Sequence, residues 1–82
     1  MERKRVGKIT HFFPKISVAV VELEDKVKVG EMIEIEGPEG KFEQKLDSMQ
    51  VNHAPVKEAK KGDAIGLKVL QPVREGDVVF LK

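Results

Sequence analysis

The chain has 82 residues, with 15 Lys or Arg against 14 Asp or Glu and no cysteine. This length predicts a single domain, residues 1–82, and the lack of cysteine excludes disulfide bridges and thiolate zinc sites. A formal net charge of +1 gives no global attraction to nucleic acid or to an anionic membrane. Because so short a chain buries only about 60% of its unfolded surface, its fold must close a core efficiently.

The first residues give no sign of a targeting segment. Residues 1–5 are charged like the start of a signal peptide, but polar residues interrupt the stretch that follows. The longest apolar run, residues 18–21, is far shorter than the ~20 residues that span a bilayer. The sequence therefore predicts a soluble cytoplasmic domain without membrane contact, with residues 1–4 as a flexible basic end.

Apolar residues follow short runs that are typical of β-strands rather than the period of a helix. Six strands are predicted, over residues 6–13, 16–23, 32–36, 42–51, 64–70 and 77–81. Within the fourth, the apolar side chains change parity after Leu46, which predicts a β-bulge near Asp47 and Ser48. The segment from Pro55 to Gly62 has proline first and glycine last, which predicts a turn or short 3₁₀ segment across one end of a barrel.

Glycine turns separate the predicted strands. Residues 37–40, Gly-Pro-Glu-Gly, predict a tight turn with two glycines able to adopt positive φ. A five-residue pattern recurs at residues 27–31, 59–63 and 73–77: an apolar residue, a base, a spacer, a glycine and an acid. Each copy lies directly before an apolar strand. Short strands, frequent turns and no substantial helix predict an all-β fold, a small closed six-stranded antiparallel barrel with at most a short helical turn.

Five segments carry a resemblance to a known family, namely residues 6–20, 27–31, 33–37, 62–67 and 73–79. Their pattern resembles the second domain of elongation factor Tu and other translational GTPases. The form with His11-Phe12-Phe13-Pro14-Lys15 is similar to the C-terminal domain of the collagenase-like peptidases of unknown catalytic type. The resemblance implies a translation-protein barrel that acts as a docking and RNA-contacting module.

The chain departs from both families in what surrounds this domain. It contains no GxxxxGK[ST] phosphate loop, so GTP binding is not expected, and it contains no peptidase domain. Neither Ser17 nor Ser48 lies in a G-x-S-x-G elbow, and His11 and His53 lie on separate elements with no cysteine to pair with. We expect no enzyme activity, no cofactor and no metal site.

The most distinctive stretch is residues 11–15, where two of the four Phe lie beside a histidine and a lysine at a predicted hairpin tip. One interpretation is an aromatic and basic patch on which a base or a partner's side chain stacks. The alternative is that Phe12 or Phe13 closes the end of a barrel. Because adjacent strand residues point to opposite faces, at most one of the two belongs to the core.

Basic and acidic residues are unevenly distributed. Residues 1–15 hold five bases against one acid, whereas residues 22–43 hold eight acids against three bases. One interpretation is a basic edge for RNA phosphates; the other is a solvated strand end with weak cross-strand ion pairs. The candidate binding residues are Arg3, Lys4, Arg5, Lys8, His11, Phe13 and Lys15.

Three hypotheses follow. The first is a non-catalytic module that contacts RNA or the translation machinery through the basic edge and the hairpin tip. The second is a protein-docking module that acts in trans for a peptidase-like or RNA-modifying enzyme. The third, a hydrolase, has no recognisable catalytic constellation to support it.

Overall fold

The computed structural model describes residues 3–38, 40–52 and 54–82. Within these ranges the chain forms strands and no helix, which confirms the all-β prediction. The strands are β1 (Lys4–Phe13), β2 (Val18–Leu23), β3 (Val27–Lys28), β4 (Met32–Gly37), β5 (Gly40–Lys45), β6 (Met49–Val51), β7 (Ala54–Val56), β8 (Glu58–Ala59), β9 (Ala64–Lys68) and β10 (Val78–Leu81). No helix long and apolar enough for a bilayer occurs in this part of the chain.

Eight of the strands form one antiparallel sheet in the order β5-β4-β10-β1-β2-β9-β6-β7, and β3 and β8 form a separate ribbon. The long hairpins β1–β2 and β4–β5 join residues that are close in sequence. In contrast, the β1–β10 ladder joins the two ends of the chain. No strand ladder links β5 with β7 among the described residues, so continuous pairing does not close the sheet into a barrel.

The segment from Pro55 to Gly62 differs from its prediction. It contains β7, β8 and a glycine turn instead of a 3₁₀ segment. Ala59 is buried and pairs with Val27 in the β3–β8 ribbon, so packing against a distant strand overrides the local signals. Pro55 lies on an edge strand, where its missing N–H costs no ladder hydrogen bond.

The predicted bulge near Asp47 and Ser48 is also wrong. β5 pairs with β4, whereas β6 pairs with β9, and the chain crosses between the two at residues 46–48. The Leu46 N–H donates to the Glu31 carbonyl at 2.9 Å, and the Gly30 N–H donates to the Leu46 carbonyl at 2.8 Å. The change of parity therefore marks a change of neighbouring strand.

The three glycine–acid turns form as predicted, with φ of 101° at Gly30, 93° at Gly62 and 97° at Gly76. The structure also explains the acid that follows each glycine. Its carboxylate accepts a hydrogen bond from the backbone N–H three residues earlier, while its own N–H donates to the carbonyl of that same residue. The carboxylate bonds are Lys28 N–Glu31 Oε1 at 2.6 Å, Lys60 N–Asp63 Oδ2 at 3.1 Å and Arg74 N–Asp77 Oδ2 at 3.0 Å.

The predicted turn between β4 and β5 also forms. Gly37 pairs with Gly40, and φ at Gly40 is 140°. Glu39, His53, Met1 and Glu2 lie outside the described residues.

One apolar core contains buried side chains from the sheet and from the β3–β8 ribbon. Phe12 packs against this core while Phe13 is 43% exposed, which confirms that at most one of the pair is a core residue. The buried side chains are Val6, Ile9, Ala19, Val21, Leu23, Val27, Ile33, Ile35, Leu46, Met49, Ala59, Ile65, Leu67, Val69, Val73 and Val79.

Candidate functional site

Strand β1 separates the predicted binding residues into two groups. Its ten residues extend over about 33 Å, which matches the longest dimension of the molecule, 32 Å. Arg3, Lys4 and Arg5 lie at one end, His11, Phe13 and Lys15 lie at the other, and Lys8 lies between them. These residues therefore do not form one patch.

Two bulges in β1 decide which side chains face outward. The register shifts between Arg5 and Gly7 against β10, and again between Ile9 and His11 against β2. A Cβ atom at Gly7 would lie 2.6 Å from the Val21 Cγ1 atom, so no larger residue fits without displacement. After the second bulge, His11 and Phe13 are exposed beside β2.

Arg3 is held in an acidic network on the outer face of β4 and β10. Its guanidinium bonds to Glu34 and Glu36 and lies 3.9 Å above the centre of the Phe80 ring. The hydrogen bond from Arg3 lowers the pKa of the Glu34 carboxyl. The bonds to Glu36 and Glu34 in turn raise the pKa of Arg3. A buried carboxylate is thus kept ionised by a cation, as buried charges require.

The next two bases also have acidic partners. Lys4 Nζ lies 2.9 Å from Asp25 Oδ2, and Arg5 donates two hydrogen bonds to Glu24, at 2.9 and 3.0 Å. The hydrogen bond from Lys4 is the main cause that lowers the pKa of Asp25. Acidic side chains therefore balance the basic charges at this end of β1.

The other end of β1 has a different character. The β1–β2 hairpin turns at residues 14–17, where Ser17 has φ of 55° and the Ile16 N–H donates to the Phe13 carbonyl at 3.3 Å. Ile16 is 60% exposed. The His11 ring lies 4.3 Å from the Phe13 ring, and His11 Nδ1 lies 3.4 Å from Glu75 Oε2, at an exposed site. The hairpin thus presents an aromatic and an aliphatic side chain to solvent.

A segment distant in sequence lies beside this hairpin. The Val69 N–H donates to the Ser17 carbonyl at 2.8 Å, and Leu70, the next residue, is 75% exposed. The buried Gln44 side chain holds the segment from β5. Its Nε2 donates to the Lys68 carbonyl at 2.9 Å, and its Oε1 accepts from the Leu70 N–H at 2.9 Å. Leu70 is therefore exposed on a backbone fixed from both sides.

We call this end of the molecule the tip surface and define it by Phe13, Lys15, Ile16, Lys68 and Leu70. It holds three of the five exposed large apolar side chains of the described residues; the other two are Val29 and Met32. Segments 12–18 and 67–72 contain two lysines and no acidic residue. Neither Lys15 nor Lys68 has an ion-pair partner among the described residues.

The sequence signalled only part of the tip surface. Phe13 and Lys15 were predicted, whereas Ile16, Lys68 and Leu70 were not. A signal for Gln44 existed, because this polar residue shares its face with Phe42 and Leu46 at core positions. A buried amide needs hydrogen-bonding partners, but the sequence does not identify them.

A second candidate site is a cavity of about 370 Å³ between the β4–β5 turn and the segment before β10. Pro38, Phe42, Pro72 and Asp77 are among the residues that line it. The Asp77 carboxylate is engaged in its turn, and a Cβ atom at Gly37 would lie 2.7 Å from it. No group of three or more metal-ligating side chains occurs in residues 3–38, 40–52 and 54–82.

Comparison with known proteins shows that this fold occurs in a domain of known structure. The C-terminal domain of a Geobacillus thermoleovorans protein assigned to the U32 peptidases has the same fold. The match to its crystal structure has a TM-score of 0.91 at 18% identity and covers 96% of this chain and 92% of that one. The selenomethionine variant matches with a TM-score of 0.91 at 20% identity and covers 95% and 99%.

Among curated proteins, the chain is similar to the uncharacterized protease MJ0090 of Methanocaldococcus jannaschii, with 44% identity over 77 residues. The match covers 93% of this chain but only 19% of that protein, so the chain spans about a fifth of the relative's length. No protein-family model matches the chain. The resemblance to a peptidase C-terminal domain is therefore confirmed at the level of fold, whereas these relatives include no translation factor.

Proposed function

We propose that the chain is a non-catalytic docking module that contacts the catalytic part of a peptidase-like protein. The observation that carries the proposal is the 44% identity to a segment that makes up 19% of a larger protease. The fold that it shares with the C-terminal domain of a U32 peptidase agrees with this function.

The arrangement of polar groups supports a binding function. Glu34 and Asp77, two buried acids, are bonded to Arg3 and to the Arg74 N–H, and both have structural roles. The exposed His11 has Glu75 as its neighbour, and neither serine of the chain lies beside a histidine in sequence. Nucleophilic catalysis needs a nucleophile and a base within hydrogen-bonding reach. The tip surface, in contrast, has the apolar character of a contact surface.

The test uses a chimaera of protease MJ0090 in which this chain replaces the matching segment. Amide hydrogen exchange of the chimaera is compared with that of the free 82-residue chain. Docking predicts that one contiguous group of surface amides exchanges at least tenfold more slowly in the chimaera. Equal exchange at every amide of the module would contradict the proposal, because a module that does not dock keeps the exchange pattern of the free chain.

A second candidate function is contact with RNA, and one observation favours it. Lys8 and Lys15 have no ion-pair partner among the described residues. On the same strand as Lys8, the His11 and Phe13 rings lie with their centres 4.3 Å apart and their planes tilted by 55°. Binding through phosphates predicts an affinity for single-stranded RNA that falls steeply with salt and with the double substitution Lys8→Glu, Lys15→Glu. An RNA affinity that is equal at about 50 and 200 mM salt would refute this function.

Closure of the sheet into a barrel is also a proposal, and three backbone hydrogen bonds support it. Leu46 is bonded to both Gly30 and Glu31, and the Val29 N–H donates to the Lys57 carbonyl at 2.8 Å. These bonds join the residues that follow β3 to Leu46, which follows β5, and to Lys57, which lies between β7 and β8. Closure would run along this path, across the gap between β5 and β7. A closed scaffold would keep the tip surface in one geometry, which favours docking.

A further inference from the structure

We infer that the tip surface is the docking contact itself, and that its partner is an apolar surface bordered by carboxylates on the catalytic part of a peptidase-like protein. The inference rests on the proposed docking function and specifies which face of the module is used. It names Phe13, Ile16 and Leu70 as the apolar contacts and Lys15 and Lys68 as the charged border.

The exposed apolar side chains of the tip surface are grouped at one end of the molecule. Single exposed hydrophobic residues are common on monomers, whereas a cluster indicates an interaction site. Ile16 and Leu70, the two most exposed large apolar side chains of the described residues, each adjoin one partner of the backbone hydrogen bond between the Val69 N–H and the Ser17 carbonyl. Two segments separated by about fifty residues thus bring their exposed apolar side chains to one place.

Leu70 lies on a backbone segment that hydrogen bonds hold in place. Gln44 is only 6% exposed, and both ends of its amide bond to the backbone on either side of Val69. Burial of a polar side chain costs free energy unless the side chain is hydrogen-bonded. The two hydrogen bonds of Gln44 offset this cost and hold the backbone of the exposed Leu70 in place. A surface that is ordered before binding loses less conformational entropy on docking.

The tip surface also carries positive charge. Lys15 and Lys68 border the apolar side chains, and segments 12–18 and 67–72 contribute no acid. Charge complementarity therefore favours a partner with carboxylates around an apolar centre. The opposite end of β1 lacks this property, because Arg3, Lys4 and Arg5 already bond to acids of the same chain.

The source of the partner follows from chain length. About four-fifths of protease MJ0090 lies outside the segment that matches this chain. A module of this kind would pack against that remaining part. RNA fits the tip surface less well, because two of its three exposed apolar side chains, Ile16 and Leu70, are aliphatic and offer no ring on which a base could stack.

The experiment measures alkylation of single cysteines in the free chain and in the protease MJ0090 chimaera. Because the chain has no cysteine of its own, Ile16→Cys and Leu70→Cys each introduce one reporter. Met32→Cys is the matched control, since Met32 is 45% exposed and lies on β4, away from the tip surface. Peptide-resolved mass spectrometry follows iodoacetamide labelling at these positions only, so cysteines elsewhere in the chimaera do not interfere.

The inference predicts that labelling at Ile16→Cys and Leu70→Cys slows at least tenfold in the chimaera, while labelling at Met32→Cys changes less than twofold. Slower labelling at Met32→Cys alone would overturn the choice of surface but leave the docking function intact. No protection at any position, together with unchanged hydrogen exchange, would overturn both. Protection that disappears after nuclease treatment would identify RNA as the occupant and overturn the inference.

Discussion

Gln44 provides the sharpest test of how the tip surface is built. In the Gln44→Leu variant, the two hydrogen bonds to the backbone at Lys68 and Leu70 are lost, and each contributes about 1 kcal/mol net. Burial of the leucine returns part of that loss, because the site is only 6% exposed. We expect a net destabilisation of about 1 kcal/mol, which lowers the Tm by roughly 4–8 °C in a domain of this size.

The assay is thermal and urea unfolding combined with amide exchange at Leu70. Since the Leu70 N–H donates to Gln44 Oε1, its protection is expected to fall at least tenfold in Gln44→Leu. Gln50→Leu is the control, because Gln50 is exposed and its side chain has no hydrogen bond within residues 3–38, 40–52 and 54–82; the stability of this variant should change by less than about 0.5 kcal/mol. Unchanged protection of the Leu70 amide, or an equal loss of stability in Gln50→Leu, would refute the role assigned to Gln44.

Two further predictions concern the scaffold. Gly62→Ala forces a side chain into φ of 93° and should cost about 1–2 kcal/mol in urea unfolding, although nothing lies within 4 Å of the new Cβ. Gly66→Ala should not destabilise, because its Cβ would lie 3.6 Å from Val18 Cγ1, an ordinary contact; an equal loss in both variants would contradict the strain argument. The hydrogen bond with Arg3 lowers the pKa of Glu34 in the folded protein. The ionised Glu34 therefore contributes fully to the free energy of unfolding above the ordinary pKa of 4.5, and this contribution is lost as the pH falls further. Urea unfolding between about pH 3 and pH 7 should therefore show a smaller acid-induced loss of stability in Glu34→Gln, and an identical pH profile would refute this.

The sequence predicts strands where the signal is local. Alternating side chains around Ile33 and Ile35, and the glycine turn at residues 73–77, depend on neighbours in the chain, and both features form. The two-residue strands β3 and β8 carry no such signal. Their pairing joins Val27 with Ala59, and only the folded core brings these residues together.

In the candidate site, too, the sequence predicts features that depend on neighbouring residues but not contacts between distant segments. Exposure of Phe13 follows from its position beside Phe12 on a strand, which a period of two predicts. Leu70 joins the tip surface through one backbone bond between Val69 and Ser17, a contact that no local pattern predicts.

Charge counted along the chain is equally incomplete. The N-terminal bases form a run in the sequence, but strand pairing brings acids to them from elsewhere in the chain. Arg5 bonds to Glu24 near the end of β2, and Arg3 bonds to Glu34 and Glu36 on β4. Ion pairs across strands therefore occur at these bases, as the second interpretation of the sequence expects, while RNA contact by the N-terminal bases stays a prediction.

The most direct test of docking through the tip surface is photo-crosslinking in the protease MJ0090 chimaera, with benzoylphenylalanine placed at Leu70 or, as the control, at Met32. These side chains are 75% and 45% exposed in the free module, so both probes are accommodated without disturbing the core. The account predicts crosslinks from position 70 to the peptidase-like part of the same molecule and none from position 32. Crosslinks from position 32 alone, or from neither position, would contradict it.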